Sequence, residues 1–250
     1  MFYILDTETS GISKADQIVE LAWLQLPALE TIDGSLSAGN YPKFLSRYLP
    51  TAPIHPAAQA VHGISLGDLQ ECPPVLEQIP QDYPADAHYL IGHNISFDSK
   101  MLTQCGVDTA NARLICTLSM AKKLYPVLPE GLADRKLTTL AKFLYPEYIE
   151  EIDAEAHSGM GDCLLVLLIL EKFIERSSAL TWDDLYQWQL PQTKPKATST
   201  RNSLMQAMPF GKFKGEAFDE IEPSYLQWLS KQELSPKLRT TVEHWLGVLA

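Results

Sequence analysis

Acidic side chains that could hold a metal ion stand at three separated places in the chain, the first of them near its beginning. Asp6 and Glu8 follow the apolar residues 2–5, which predict a buried strand that ends where charge begins. Because side chains two apart on a strand point to the same side, both carboxylates can reach one centre. A solvated strand end would contain the same residue types, so this pair alone leaves both interpretations open.

The second acidic place is Asp98, which follows a strand, a glycine and a polar loop. Residues 89–91 predict the strand, and residues 96–105 predict a helix with Asp98 in its first turn. An aspartate near a helix N-terminus is also favoured by the helix dipole, so Asp98 alone is weak evidence of a site. His93 and Asn94 could orient this carboxylate or contact a substrate, or they could satisfy backbone groups of the loop.

The third place combines a histidine with an aspartate at the start of an apolar helix. Asp162 precedes residues 164–169, which predict a buried helix that runs to about residue 176. Residues five apart on an ideal helix are turned by about 500°, so His157 and Asp162 would not share a face if both were helical. We therefore expect His157 in the preceding loop, where it could serve as a base. Taken alone, His157 would be interpreted as an exposed loop histidine.

Together these places resemble the signature of the DEDD-type 3′–5′ exonucleases, in the DEDDh subclass whose histidine lies five residues before the last aspartate. The matching segments are residues 6–9, 93–98 and 157–162, and residues 62–64 supply the His-Gly-Ile segment that the family has between the first two. The resemblance covers about residues 1–176. It implies an α/β, ribonuclease H-like fold in which helices flank a mixed sheet and the acidic site lies at strand ends.

The chemistry expected of this residue set depends on divalent cations. Four carboxylates packed closely would repel one another, and some would hold protons at neutral pH unless cations neutralise them. Oxygen ligands suit Mg²⁺ or Mn²⁺ rather than zinc, and two such ions can activate a water and stabilise a leaving oxygen. The resemblance implies that Asp6 bridges both ions, that Glu8 and Asp162 complete the site of the nucleophile-bearing ion, that Asp98 supports the other ion, and that His157 is the general base.

The implied activity is hydrolysis of DNA phosphodiester bonds from the 3′ end, with release of nucleoside 5′-monophosphates, in DNA repair or end trimming. Two alternatives stay open. The chain could trim RNA ends, because the contact that distinguishes a 2′-hydroxyl cannot be read from the sequence. It could also be a non-catalytic nucleic-acid-binding adaptor, because one fold hosts unrelated functions. The candidate substrate-binding residues are Thr7, Thr9, His62, His93, Asn94, Lys212 and Lys214.

The net charge of −11 over 250 residues is unusual for an enzyme of nucleic acids, whose affinity depends on neutralising phosphates. The charge is unevenly distributed, with −13 on residues 1–190 and +5 on residues 191–215. An acidic core with a basic segment favours capture of a strand end over a long grip on duplex DNA.

Two classes of protein are not expected. The sequence has no apolar run of transmembrane length and no secretory signal pattern, so we expect a soluble, cytoplasmic protein with no membrane partner. Its cysteines, at positions 72, 105, 116 and 163, have no paired CxxC spacing, so neither a zinc site nor a disulfide framework is predicted.

We predict three segments along the chain. Residues 1–178 form the exonuclease domain, residues 179–203 a short helix followed by a basic linker rich in proline and threonine, and residues 204–250 a small α-rich C-terminal module. Within the first domain, residues 18–26 and 44–49 predict strands antiparallel to the first one.

The C-terminal module resembles the one found in exonuclease X-like proteins, through the motif Phe-Gly-Lys-Phe-Lys-Gly. Lys212 and Lys214 could hold a nucleic-acid strand through its phosphates, with Phe213 stacking on a base. Alternatively, the motif forms a tight turn whose Phe210 and Phe213 pack under the terminal helices. A further open position is Ile12, just after the acidic turn, which could be an exposed wedge or a core side chain.

Overall fold

The computed structural model describes residues 1–32, 35–156, 158–190, 204–205, 207–232 and 234–248. The chain divides into two compact units, Met1–Leu190 and Pro191–Ala250, and each is described by itself. The predicted general base, His157, and the predicted basic linker up to residue 203 lie outside the described residues.

The first unit is built on a mixed five-stranded sheet. The strands are β1 (Phe2–Thr9), β2 (Ile18–Leu26), β3 (Lys43–Arg47), β4 (Tyr89–Gly92) and β5 (Arg113–Cys116). Their order in the sheet is β3-β2-β1-β4-β5. The pairs β1–β2 and β2–β3 are antiparallel, and the pairs β1–β4 and β4–β5 are parallel. The central strand β1 therefore delivers its carboxyl end to the same edge of the sheet as β4 and β5.

Helices surround this sheet and bury it on both faces. On β1, Ile4 belongs to the larger core cluster, whereas Tyr3 and Leu5 belong to a second cluster on the opposite face. This alternation follows from the two-residue period of a strand and makes β1 buried from both sides. The helices are α1 (Pro56–His62), α2 (Val75–Asp82), α3 (Ser96–Gln104), α4 (Thr117–Leu124), α5 (Leu137–Leu144), α6 (Ile149–Glu155), α7 (Gly159–Ser177) and α8 (Trp182–Gln189), with short 3-10 turns at Leu29–Thr31, Leu36–Ala38, Leu66–Leu69 and Pro146–Tyr148.

The observed helices and strands agree with those predicted from the sequence, with the following exceptions. The third strand ends at Arg47 rather than at residue 49, and α2 and α6 were not expected from the sequence. The predicted short helix near residue 182 forms as α8 and packs on the first unit, where Trp182 is 2% exposed and its indole nitrogen donates to Pro27 O at 2.8 Å.

The second unit is a small α-rich module, as predicted. Its helices are α9 (Pro223–Leu229) and α10 (Pro236–Val248), preceded by a short hairpin whose two sides meet at the bridge Ala207–Ala217. The unit has its own core of buried side chains, which consists of Met208, Phe218, Ile221, Leu226, Leu229, Leu238 and Val242. None of the described helices in either unit is both long enough and apolar enough to cross a membrane.

Candidate metal centre

Three of the predicted metal ligands converge where β1 leaves the core. Asp6 and Glu8 lie on the same side of β1 and Asp162 lies in the first turn of α7, so the acidic pair meets the helix that packs across the strand. Carboxylate oxygens of these three residues all lie within 4.8 Å of one another. That spacing and an all-oxygen donor set fit a divalent cation of the Mg²⁺ or Mn²⁺ type.

The fourth carboxylate, Asp98, lies in the first turn of α3 and is 4% exposed. Its Oδ1 atom accepts two hydrogen bonds from Thr7, one from the backbone nitrogen at 3.0 Å and one from the hydroxyl at 2.7 Å. Burial raises the pKa of Asp98 to about 7, the bonds from Thr7 oppose that rise, and the charge of Asp162 adds to it. Thr7 thus fixes Asp98 beside the strand that carries Asp6 and Glu8.

Burial, together with mutual repulsion, raises the pKa of the acids in this cluster. Burial, followed by the charges of Asp98, Asp162, Glu8 and Glu20, raises the pKa of Asp6 well above its usual range. Burial, followed by Asp162, Glu20 and Asp98, raises the pKa of Glu8 to about 8. Such a group of acids holds protons at neutral pH unless positive charge is supplied, and a bound cation would supply it.

A further buried carboxylate, Glu20 on β2, belongs to the same region and was not expected from the sequence. It lies directly opposite Glu8 in the β1–β2 register and is 2% exposed. One of its oxygens accepts from the backbone nitrogen of Gly159 at 3.0 Å, and the other accepts from Arg47 Nε at 2.7 Å. Glu20 therefore ties β2 to the first residue of α7, three residues before Asp162. The single charged residue in the strand 18–26, which is apolar apart from Glu20 and Gln25, was the signal that could have found it.

Gly159 favours this close approach of α7 to β2. A Cβ atom at this position would lie 3.1 Å from the Cβ of Ala22 and 3.2 Å from an oxygen of Glu20. The start of the helix is also capped, because the side chain of Ser158 accepts from Gly161 N at 3.1 Å. Asp162 thus stands in a first turn that is fixed at both its cap and its contact with the sheet.

The two predicted threonines at the strand end make internal hydrogen bonds. Thr7 holds Asp98, as described above, and the hydroxyl of Thr9 donates to Gly11 O at 2.8 Å. Both side chains are buried. Each nevertheless lines a cleft of about 950 Å³ that begins at Glu8 and is otherwise lined largely by apolar residues, among them Ile12 and Phe97.

His62 lies on the wall of this cleft at the end of α1. Its Nδ1 accepts from Ile64 N at 3.0 Å, so the proton resides on Nε2, which donates to Thr9 O at 3.2 Å. Burial lowers the pKa of His62. The imidazole therefore joins α1 to the end of β1 in its neutral form. Nearby, Ile12 is 81% exposed, which excludes the core position that the sequence left open.

The two predicted residues of the loop after β4 are engaged within the protein. His93 Nδ1 lies 3.0 Å from the hydroxyl of Thr117, and burial lowers the pKa of His93 to about 4. Asn94 is exposed and has a φ of 67°, a left-handed conformation that asparagine adopts more readily than most residues. The backbone carbonyl oxygen of Asn94 accepts a hydrogen bond from Phe97 N at 2.8 Å, at the start of α3. Both residues thus shape the loop that delivers Asp98.

Lys212 and Lys214 lie in the second unit and are exposed. The ammonium of Lys212 lies 4.8 Å from the centre of the Phe213 ring. Of the two phenylalanines that could have packed under the helices, Phe213 does pack against the core of this unit, whereas Phe210 is 46% exposed.

Comparisons with known proteins agree with the family resemblance of the motifs. No family profile matches the chain. Its sequence is 28% identical over 251 residues to exodeoxyribonuclease 10 of Escherichia coli strain K12, covering 98% of this chain and 99% of the relative. The same figures hold for exodeoxyribonuclease 10 of Escherichia coli O6:H1.

Solved structures show the same fold. Exonuclease X bound to duplex DNA with a 5′ overhang has a TM-score of 0.55 at 22% identity, covering 76% of this chain and 100% of that one. A zinc-bound complex of E. coli exonuclease I with single-stranded DNA has a TM-score of 0.57 at 17% identity, covering 72% of this chain and 41% of that one. These likenesses confirm the predicted ribonuclease H-like α/β fold.

Proposed function

We propose that this chain, whose sequence and fold support a place in the DEDD-type exonuclease family, is a metal-dependent 3′–5′ exonuclease that acts on DNA. The observation that carries the proposal is the convergence of Asp6, Glu8 and Asp162 within 4.8 Å, with Asp98 held beside them by Thr7. The full-length likeness to exodeoxyribonuclease 10 supports DNA as the substrate rather than RNA.

The carboxylates at the end of β1 would hold two divalent ions, Mg²⁺ or Mn²⁺. When bound, such ions lower the pKa of water and stabilise the negative charge on a leaving oxygen. Asp6 and Glu8 offer oxygens from the strand, Asp162 from the first turn of α7, and Asp98 from the first turn of α3. Because the ligands come from three different elements of a packed core, their positions are set before the substrate arrives.

Each step along the strand forms one bond to phosphorus and breaks another. His157 accepts a proton from the attacking water, whose oxygen forms a bond to the phosphorus. The bond from phosphorus to the 3′ oxygen of the preceding nucleotide breaks, and that oxygen takes up a proton from solvent to become the hydroxyl of the new 3′ end. The product is a nucleoside 5′-monophosphate, and the role we assign to the enzyme is trimming of DNA ends during repair.

The terminal nucleotide would occupy the cleft beside Glu8. Its walls include the exposed Ile12 and the ring of Phe97, which offer apolar surface for a base, and the imidazole of His62, which would contact the nucleotide through its ring face because both ring nitrogens are bonded within the protein. Thr7 and Thr9 line the same space, and their contact with substrate is part of the proposal. We also propose that the substrate contacts His93, Asn94, Lys212 and Lys214. We further propose that the protein is cytoplasmic.

The test uses oligomers of DNA and RNA labelled at the 3′ or the 5′ end, each incubated with Mg²⁺, Mn²⁺ or a chelator. We expect single nucleotides to leave the 3′ end of DNA only, and only with metal. Asp6→Asn should abolish the activity, whereas the charge-matched control Asp153→Asn, at an exposed residue paired with Lys142, should not. Degradation of RNA alone would favour the ribonuclease alternative. Binding of DNA without cleavage under any metal would favour the adaptor.

A further inference from the structure

The second unit carries an exposed aromatic surface that the metal centre does not use. Residues 208–216 form a tight hairpin, in which Met208 N donates to Glu216 O and Gly215 N donates to Met208 O, both at 2.9 Å. Gly211 and Gly215 have φ values of 79° and 89°, which close the hairpin in a conformation that favours glycine. The tip of the hairpin therefore presents its side chains in a defined arrangement.

This tip is seated on helix α9 through aromatic contacts. The rings of Phe213 and Tyr225 are 4.7 Å apart at an angle of 65°, and the rings of Tyr225 and Trp228 are 5.5 Å apart at 37°. The contact with the helix is so close that a Cβ atom on Gly211 would lie 2.9 Å from the hydroxyl of Tyr225. Hairpin and helix thus form one continuous surface, in which Tyr225 is the link.

The outer part of this surface is open to solvent. Trp228 is 54% exposed, although its neighbours on the same helix, Leu226 and Leu229, are buried in the core of the unit. A tryptophan that is not needed for the core and remains accessible is available for a ligand. Phe210, at the hairpin tip, is 46% exposed.

Positive charge accompanies the exposed rings. Lys212 and Lys214 are exposed at the hairpin tip, and residues 208–215 contain no aspartate or glutamate. Alternation of cations with exposed rings matches the needs of a single strand, whose phosphates seek positive charge and whose unpaired bases seek a flat apolar surface. In a duplex the bases are stacked on one another and offer no such face.

We propose that the aromatic–lysine face, defined as Phe210, Lys212, Lys214, Tyr225 and Trp228, binds single-stranded nucleic acid. A base stacks on the indole of Trp228, and phosphates of the same strand contact the two lysines. The choice of nucleic acid over another anionic polymer rests on the proposed function of the chain. Four exposed acidic residues, Glu216, Asp219, Glu220 and Glu222, follow the hairpin tip up to the start of α9, so we expect a weak contact that holds a strand transiently.

Binding is measured on the full chain in the presence of a chelator, with a fluorescent oligo-dT strand and its blunt duplex as probes. Trp228→Ala should weaken binding of the single strand about 5- to 150-fold, which is the range found for loss of one base stack, and should leave duplex binding unchanged. Trp228→Phe should restore much of the affinity, because phenylalanine keeps a ring. Trp245→Phe, at a partly buried residue of the same unit's core, is the matched control and should change nothing.

The salt dependence tests the lysines. Lys212→Ala and Lys214→Ala should each reduce the slope of log affinity against log salt by about 0.7, which is the value for one phosphate contact on a single strand. Thermal unfolding of each variant verifies that the second unit still folds. Unchanged affinity in Trp228→Ala, an equal loss for single strand and duplex, or competition by poly-glutamate as strong as by oligo-dT would overturn the proposal.

These outcomes are separable from those of the nuclease assay. If the chain degrades DNA but Trp228→Ala binds the single strand normally, the aromatic–lysine face is not a binding site and the proposed function stands. If the single strand binds through Trp228 but no nucleotide is released with any metal, the proposed function fails and the face remains.

Discussion

Thr7 donates two hydrogen bonds to the same oxygen of Asp98, from its backbone nitrogen at 3.0 Å and from its hydroxyl at 2.7 Å. The residue between the two acids of β1 therefore positions the acid of α3. Because hydrogen bonds to charged groups contribute about 1.5–3 kcal/mol, loss of the hydroxyl should leave Asp98 poorly held. We expect Thr7→Val to lower nuclease activity roughly 10- to 100-fold, with a higher Mg²⁺ requirement.

Thr7→Ser is the matched control, since it keeps the hydroxyl, and it should retain most of the activity. A titration of activity against Mg²⁺ concentration measures both variants. If Thr7→Val is as active as the unmodified chain at low Mg²⁺, Asp98 does not depend on this contact.

Glu20 should affect catalysis through the position of α7. Glu20→Ala removes the acceptor of Gly159 N and leaves Arg47 without its buried partner, and an unsatisfied buried group costs about 1–3 kcal/mol. We expect kcat to fall at least tenfold with little change in KM, since Asp162 shifts while the cleft is intact. Glu20→Gln keeps an acceptor and should restore part of the rate.

Variants of Arg47, the other hydrogen-bond partner of Glu20, provide a comparison with Glu20→Ala. Arg47 is about half exposed, and Arg47→Met should lose less activity than Glu20→Ala because Gly159 keeps its partner. Equal losses in kcat and stability across all these variants would mean that Glu20 serves the fold alone.

The candidate cluster of Asp6, Glu8 and Asp162 could be predicted from the sequence, because each of these acids lies where a strand ends or a helix begins. Asp6 and Glu8 alternate on a strand end, and Asp162 follows two glycines at the start of a helix, so neither placement requires knowledge of distant contacts. Glu20 was not foreseen, because its role depends on a register that sets it against Glu8 and on the approach of Gly159, 139 residues away.

The missed and the corrected elements have physical reasons as well. Helix α2 contains Pro80, and proline usually interrupts a helix, so the sequence did not predict a helix here. The helix nevertheless forms and buries Val75 and Ile79, which are one turn apart. The sequence could not decide whether Ile12 is buried or exposed. A single apolar residue after a turn is not part of a helical or strand pattern of apolar residues, and such a pattern is what predicts a buried face. The roles of Thr7 and Thr9 in internal hydrogen bonds depend on partners that only the folded chain brings near.

The metal-free protein should lose stability as the pH rises. The pKa of Glu8 in the folded chain is about 8, above its ordinary value of 4.5. A group with a raised folded pKa contributes stability that is fully present below the ordinary pKa and is lost as the pH rises through the folded one. We therefore expect the contribution of Glu8 to the Tm in chelator to be lost between about pH 4.5 and pH 8, and Mg²⁺ to raise the Tm most at the upper end of this range.

The range above about pH 6.5 separates Glu8 from His93. The pKa of His93 is lowered from 6.5 to about 4, so its contribution is lost as the pH falls from 6.5 to 4 and adds no slope above 6.5. Thermal melts at several pH values, with Mg²⁺ or chelator, measure the effect, and Glu8→Gln should flatten the profile in chelator. A Tm in chelator that rises from about pH 6.5 to pH 8 would contradict the assigned pKa of Glu8.

Removal of residues 191–250 should weaken DNA binding without removing the cleavage chemistry. The deleted part includes the segment 191–215 with its charge of +5, whereas the four acids that we propose as metal ligands are in the unit Met1–Leu190. The full chain makes extra phosphate contacts that release counterions. Its log affinity for DNA should therefore fall more steeply with log salt concentration than that of the truncated chain. Cleavage of a short oligomer at saturating concentration should remain, and equal affinities of the two forms for DNA would refute the role of this segment.

His157 should be needed for the rate but not for the fold or for the metal. The motif places it five residues before Asp162, and transfer of a proton to a general base typically contributes about 10²- to 10⁴-fold to a rate. We expect His157→Ala to lose activity in that range while the Mg²⁺-induced rise in Tm is kept, because the carboxylates hold the ions. Asp6→Ala should lose both. Turnover close to that of the unmodified chain in His157→Ala would rule out the histidine as the base, and loss of the Mg²⁺ effect on Tm would mean that it acts on the ions instead.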